Sequence, residues 1–165
     1  MDLIIDGYNL LALDRRLDRG LEQSRNLLID HLVRYRQLKM LNLTVVFDGW
    51  HSGSANETHR AQDGIRIVFS RLGEKADAVI IRLAREKNSN AVVVSSDREI
   101  RSAVERFGAV AIHAQEFSEI LKTLDYAMTD GFDDDSAGQM SERNRAHRLS
   151  KVERKRQEKL RKLRL

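Results

Sequence analysis

The sequence predicts an α/β fold: a three-layer, Rossmann-like sandwich with a central, mainly parallel five-stranded sheet, followed by a basic C-terminal extension. Three observations support this prediction. Five apolar runs rich in β-branched residues alternate with segments of helical periodicity. Two of these runs, Thr44–Phe47 and Val92–Val94, are continuous rather than alternating in their hydrophobicity, as in strands that are buried on both faces. Positive charge is concentrated at the C-terminal end. Alternating strands and helices of this kind form a parallel sheet covered on both sides.

The predicted elements follow one another in a regular order. The five strands are Leu3–Ile5, Leu43–Phe47, Ile65–Phe69, Ala91–Val94 and Ala109–Ile112. Apolar residues at helical spacing predict helices over Leu17–Leu41, Ala76–Lys87, Asp97–Phe107 and Phe117–Leu124. The polar segment 48–64 is predicted to be a loop, with or without one short helix.

Charge divides the chain of 165 residues. Between Ser141 and Leu165 lie eleven of the 29 Lys and Arg residues but three of the 25 Asp and Glu residues, a net charge of +8 against −4 for the rest. We therefore predict a domain over residues 1–128, an acidic linker over 129–140 and a basic extension over 141–165. The extension has helix-forming composition and is expected to be helical or disordered. Such an asymmetry indicates a polyanionic partner, most often nucleic acid.

Several classes of protein are excluded or disfavoured. The chain has no cysteine, which excludes disulfides and thiolate metal sites. It has no apolar run of about 18 residues and no signal-peptide pattern, so we expect a cytoplasmic protein without a membrane partner. The motifs G-x-G-x-x-G and G-x-x-x-x-G-K-[ST] are absent, so no nucleotide cofactor is expected.

Aspartates stand at successive strand ends. Asp6, Asp48 and Asp97 follow the first, second and fourth predicted strands, and Asp77 begins the helix after the third. Because ligands of parallel α/β sheets bind outside the carboxyl ends of the strands, we expect an acidic pocket there. Structural roles compete: Asp97 is also a good helix N-cap, Asp77 suits a first helical turn, and Asp-Gly is a common turn.

Such a cluster favours a hard cation. Like charges close together raise one another's pKa unless a cation neutralises them, and oxygen ligands suit Mg²⁺ or Mn²⁺. These ions bind phosphates and activate water for attack on a phosphodiester. Asn9, one helical turn after Asp6, is placed to orient a water or a phosphate oxygen.

Polar and basic residues near this edge are candidate RNA ligands. Ser95 and Ser96 are candidates for hydrogen bonds to a phosphate or to the acid cluster, and capping and turn roles are favoured for both, while solvated roles compete at the basic residues. Trp50 and Tyr8 flank the predicted pocket and are candidates for stacking on a base, and Tyr8 is equally a candidate for the core. The extension supplies further phosphate contacts. The candidate RNA-binding residues are Arg71, Lys75, Ser95, Ser96, Arg98, Lys151, Arg154, Lys155 and Arg156.

Four motifs in this order, "IIDGYNLL", "VVFDG", "ADAVI" and "VVVSSDREI", resemble the NYN domains of the PIN-like nuclease superfamily, specifically its YacP-like branch. The resemblance covers residues 1 to about 128. It implies a PIN-like fold and a metal-dependent endoribonuclease that leaves a 5′-phosphate and a 3′-hydroxyl. By position, Asp6, Asp48, Asp77 and Asp97 match the family's acidic metal-binding set, and Asn9 matches its motif asparagine. The basic extension resembles the Lys- and Arg-rich ends of YacP-like chains.

The predicted function is therefore a metal-dependent endoribonuclease that acts on mRNA or ribosome-associated RNA. Its predicted catalytic residues are Asp6, Asn9, Asp48, Asp77 and Asp97. One alternative is a non-catalytic RNA- or ribosome-binding module with the same fold. A haloacid-dehalogenase-like phosphatase is disfavoured, because it needs a second Asp two residues after the nucleophile, where Tyr8 stands.

Overall fold

The computed structural model of the protein describes residues 1–13, 20–49, 55–129 and 150–164. Within these ranges the strands are β1 (Asp2–Asp6), β2 (Asn42–Phe47), β3 (Thr58–Gln62), β4 (Ile65–Phe69), β5 (Ala91–Val94) and β6 (Val110–Ile112). The α-helices are α1 (Gly7–Leu11), α2 (Leu21–Lys39), α3 (Ala76–Lys87), α4 (Arg98–Arg106), α5 (Ala114–Thr129) and α6 (Lys151–Leu163). None of the helices in these ranges has an apolar stretch long enough to cross a lipid bilayer.

The strands form one sheet in the order β3-β4-β2-β1-β5-β6. Every neighbouring pair is parallel except β3 and β4, which are antiparallel. From β1 the chain winds outward through β2 to β4, then returns to the other side of β1 for β5 and β6. The direction of winding thus reverses between β1 and β5, which is where open α/β sheets bind their ligands. The predicted α/β sandwich is confirmed.

The sheet has six strands rather than the five predicted. The additional strand, β3, lies within the segment predicted to be a loop, and most of its side chains are exposed because it pairs only with β4 at the sheet edge. Apolar periodicity therefore could not reveal it. Asp63 and Gly64 join β3 to β4, with φ values of 46° and 82°. Positive φ at both positions is typical of the two-residue Asp-Gly hairpin turn, and this dipeptide is the signal that the apolar pattern lacks.

Two apolar layers enclose the sheet. Leu3 and Ile5 of β1 belong to a core that also contains residues of α1, α2, α5 and α6. Ile4, between them, belongs to a second core with residues of α3 and α4. Side chains alternate between the faces of a strand, so both faces of this central strand are covered.

Helix α6 packs against the body of the protein. Among the apolar residues of the extension, Leu160 and Leu163 are buried and Val152 is exposed, while Leu149 lies outside the described residues. Tyr35 donates a hydrogen bond from its hydroxyl to the Leu163 carbonyl oxygen at 2.7 Å. The division into domain, linker and extension stays a prediction, because residues 130–149 are outside the described part. The described helix of the extension nevertheless contributes to the main core.

Candidate active site

Asp6 ends β1 at the point where the strand order reverses, and 8% of its surface is exposed. Ser95 donates a hydrogen bond from its hydroxyl to Asp6 Oδ2 at 3.0 Å, and the Asn9 backbone N–H donates to Oδ1 at 3.3 Å. Burial raises the pKa of Asp6 above its ordinary value, the charges of Asp77 and Asp97 raise it further, and the two hydrogen bonds oppose the shift. A cation beside Asp6 would favour its ionised form.

The glycine after Asp6 lets α1 approach the sheet closely. A Cβ atom added at Gly7 would lie 2.3 Å from the ring of Phe47, the last residue of β2. A larger residue would therefore force the Phe47 ring or α1 to shift. Gly7 thus allows α1, which carries Asn9, to pack closely on Phe47.

Two serines after β5 connect the strand ends. Ser95 is fully buried, and its hydroxyl also accepts a hydrogen bond from the Asp97 N–H at 3.1 Å. The Ser96 N–H donates to Asn9 Oδ1 at 2.9 Å. Both residues were predicted to contact RNA. In the structure their polar groups bind Asp6, Asn9 and Asp97 and hold these three residues together.

Asp97 caps α4. Its Oδ1 atom accepts hydrogen bonds from the backbone N–H groups of Glu99 and Ile100 at 2.6 and 3.1 Å. Its other carboxylate oxygen, Oδ2, has no hydrogen-bond partner among the described residues. The charge of Asp97 also acts on Asp6. Asp97 therefore caps α4 and acts on Asp6 at the same time.

The other two aspartates occupy different positions around Asp6. Asp77 lies in the first turn of α3, partly buried, and its charge raises the pKa of Asp6. Asp48 follows β2, and the register pairs Asp6 with Val46. Asp48 is therefore two residues beyond the level of Asp6, about 7 Å along the strand direction. Among the described residues, no three His, Cys, Asp or Glu side chains converge closely enough to form a preformed metal site.

The predicted basic ligands fall into two groups. Arg71, Lys75 and Arg98 are exposed near the carboxyl edge of the sheet, and Arg71 is paired with Glu74 at 3.3 Å between Nε and Oε2. The others lie on α6. There Lys151 and Arg154 are exposed.

Two cations of α6 bind the body of the protein. Lys155 donates a hydrogen bond to the Gly108 carbonyl oxygen, and Arg156 forms an ion pair with Glu116. Gly108 precedes β6, so Lys155 lies near the amino ends of the parallel strands, whereas Asp6 lies at their carboxyl ends. Lys155 and Arg156, both predicted to bind RNA, thus fasten α6 in this structure.

Sequence reasoning missed Ser70, which follows β4 and is fully buried. Its hydroxyl accepts a hydrogen bond from the Gly49 N–H at 2.9 Å, and its own N–H donates to the Phe47 carbonyl oxygen at 3.0 Å. Ser70 therefore holds the backbone on both sides of Asp48. Like Ser95, it is a polar residue directly after a buried strand, and that pattern is the signal that would have found it. Trp50, predicted to stack on a base, lies outside the described residues.

Comparison with known proteins supports the fold and identifies the family. The family model described as the YacP-like NYN domain matches residues 3–164, which include α6. Crystal structures of Rae1 (YacP) from Bacillus subtilis and of a point mutant of it share the fold, with TM-scores of 0.64 and 0.65. Each is 24% identical to this chain, of which 78% is covered, together with 78% and 79% of the respective Rae1 chains. No curated protein matches the sequence. The family match spans nearly the whole length, and the chain therefore belongs to the YacP-like NYN domain family.

Proposed function

We propose that this protein is a metal-dependent endoribonuclease that hydrolyses RNA phosphodiester bonds. The observation that carries the proposal is Asp6: a buried carboxyl at the reversal point of the sheet, with its pKa raised by burial and by the charges of Asp77 and Asp97. Membership of the YacP-like NYN family supports it. The proposed substrate is mRNA or ribosome-associated RNA in the cytoplasm, and the proposed products carry a 5′-phosphate and a 3′-hydroxyl.

The oxygen donors of the pocket suit Mg²⁺ or Mn²⁺. Mg²⁺ usually keeps several waters and binds through one or two carboxylates plus substrate phosphates, so three convergent side chains are not required. Asp6 would hold the ion together with Asp77 and Asp97, in part through the waters that the ion keeps, and Asp48 would assist from further out. When bound, such an ion neutralises phosphate charge and lowers the pKa of water.

Asn9 and Ser95 would position the reacting groups. Because the Ser96 N–H donates to Asn9 Oδ1, the amide Nδ2 of Asn9 is the group available to donate to a phosphate oxygen. Ser95 orients Asp6 through its hydroxyl. These roles use polar groups that add no negative charge to an acidic pocket.

Incubation of the protein with unstructured RNA tests the proposal directly. We expect cleavage with Mn²⁺ or Mg²⁺, none with EDTA, and product ends that a kinase labels only after phosphatase treatment, as 5′-phosphates require. Binding of the RNA without cleavage under any metal condition would contradict the proposal and favour a non-catalytic RNA-binding module.

Asp97→Ser separates capping from catalysis. Serine is as good an N-cap as aspartate, so the free energy of unfolding should change by a few tenths of a kcal/mol. Cleavage should fall by about 100-fold or more, because the carboxylate is lost from the pocket. Asp97→Ala is the matched control: it loses the cap as well and should also cost about 1 kcal/mol of stability. Urea unfolding and a cleavage assay measure the two effects, and normal cleavage by Asp97→Ser would make Asp97 purely structural.

A further inference from the structure

Arg25 is a cation within the apolar stripe of α2. It precedes Ile29 and Leu32, both buried, by one and two helical turns, so it shares their face of the helix. Charged residues on such a face are normally paired with an opposite charge. Arg25 forms no ion pair with any carboxylate of the described residues.

Aromatic groups hold the Arg25 side chain instead. Its guanidinium carbon is 5.2 Å from the ring centroid of Phe69 and 5.9 Å from that of Phe47. Its Nη1 atom donates a hydrogen bond to the Tyr8 hydroxyl at 3.3 Å. Such contacts fix the plane of a guanidinium without neutralising its charge.

A second guanidinium approaches the same ring. The guanidinium carbon of Arg60, on the edge strand β3, is 5.7 Å from the ring centroid of Phe69. Arg60 is exposed and forms no ion pair within the described part of the chain. Two like charges around one ring repel each other, and a bound anion would relieve that repulsion.

This cluster lies at the same edge of the sheet as Asp6. Phe47 and Phe69 are the last residues of β2 and β4, and Tyr8 follows Asp6 by two residues. β4 is two strands away from β1, a separation of about 10 Å. An RNA strand with one phosphate at Asp6 can therefore reach the cluster with a neighbouring nucleotide.

We propose that Arg25 and Arg60 bind a phosphate of the RNA substrate, on a nucleotide next to the bond that is cleaved at Asp6. Guanidinium groups recognise phosphate through paired N–H donors, and a guanidinium already oriented by aromatic contacts loses less freedom on binding. The inference rests on the proposed function, because the ligand is the same RNA. It assigns to these two arginines a contact with a second phosphate, next to the one that the acidic site would receive.

RNA binding in EDTA tests the subsite independently of cleavage. The probe is a short, fluorescein-labelled poly(U) oligonucleotide, and its anisotropy is measured with the full-length protein at several salt concentrations. The variants are Arg25→Gln and Arg60→Gln. The matched control is Arg34→Gln, which removes the same charge from an exposed position on the opposite face of α2.

We expect Arg25→Gln and Arg60→Gln each to weaken binding by about tenfold or more. This is the loss of affinity expected when one hydrogen bond from a charged group is removed. Each should also flatten the log–log dependence of affinity on salt by about 0.7, the value for one lost contact to single-stranded RNA. Arg34→Gln should change affinity much less. The subsite would be overturned by any of three results. These are equal losses of affinity in all three variants, unchanged binding by Arg25→Gln and Arg60→Gln, and no poly(U) binding by the unaltered protein.

Two features keep the test decisive. Arg60 is exposed, so Arg60→Gln decides the question even if melting shows that Arg25→Gln is unfolded. A protein that binds poly(U) through these arginines but cleaves no RNA with any metal contradicts the proposed function alone. A protein that cleaves RNA while both variants bind normally contradicts the subsite alone.

Discussion

Asp6→Asn is expected to abolish RNA cleavage while preserving or raising the stability of the metal-free protein. Activity should fall by about 100-fold or more, as when one electrostatic group is removed from an active site. The fold should tolerate the change, because the Asn oxygen can still accept from the Asn9 N–H, and its amide can donate to the Ser95 hydroxyl.

The pH dependence of stability follows from the raised pKa of Asp6. Between the ordinary value of 3.8 and the higher folded value, the folded protein keeps a proton that the unfolded chain releases. Stability therefore falls as pH rises through this interval and stays lower above it. Asp6→Asn removes this loss, so in EDTA its melting temperature should exceed that of the unaltered protein at neutral pH and match it more closely in acid.

Asp30→Asn is a matched control for both measurements, because Asp30 is exposed on α2 and its carboxylate accepts a hydrogen bond from Gln62. It should cleave RNA normally and show no gain in melting temperature at neutral pH. Full activity of Asp6→Asn would remove Asp6 from the active site. An identical melting temperature at every pH would show that burial does not destabilise the Asp6 carboxylate.

The elements that could be predicted from the sequence are those with a local apolar signal. The bounds of α3 agree with the predicted helix because its apolar residues recur at helical spacing between polar ends. Helix α5 instead begins at Ala114, before the predicted start at Phe117, and runs to Thr129. Strand β3 was missed because it lies exposed at the sheet edge.

For the candidate site, the sequence predicts that several aspartates follow strand ends, but not the contacts between them. Topology places Asp6, Asp77 and Asp97 at the same end of the sheet, where the charges of Asp77 and Asp97 act on Asp6, and their positions after or near strands were visible in the sequence. The hydrogen bond between Ser95 and Asp6 joins residues 89 positions apart, and no local pattern specifies it. The same holds for the pairing of Arg156 with Glu116, which gives a basic residue a structural partner.

The packing of α6 against the core could not be predicted from its charge composition. A segment rich in Lys and Arg with few apolar residues predicts an appended arm. Leu160 and Leu163 nevertheless bury the C-terminal part of this helix against the core, and its N-terminus is stabilised by reciprocal hydrogen bonds between Ser150 and Glu153. Deleting residues 150–165 would therefore remove part of the core together with the positive charge. The contribution of Lys151 to RNA binding is better tested by Lys151→Gln, because that residue is exposed.

Leu163→Ala is accordingly expected to destabilise the protein by about 2–5 kcal/mol, as for a buried leucine in any core. Leu163 is fully buried and belongs to the same apolar cluster as Tyr35 and Phe117. The matched control is Val152→Ala on the same helix: Val152 is 65% exposed, so its loss should change stability by about 0.5 kcal/mol or less.

Tyr35→Phe tests the hydrogen bond that anchors this end of α6. Burial raises the pKa of Tyr35, so its hydroxyl remains a donor to the Leu163 carbonyl oxygen throughout the physiological pH range. Removing the hydroxyl leaves that carbonyl without this donor and should cost about 1–3 kcal/mol. Urea denaturation followed by circular dichroism measures all three variants. If Leu163→Ala and Tyr35→Phe unfold at the same urea concentration as Val152→Ala, α6 is not docked in solution, and the extension is an independent arm after all.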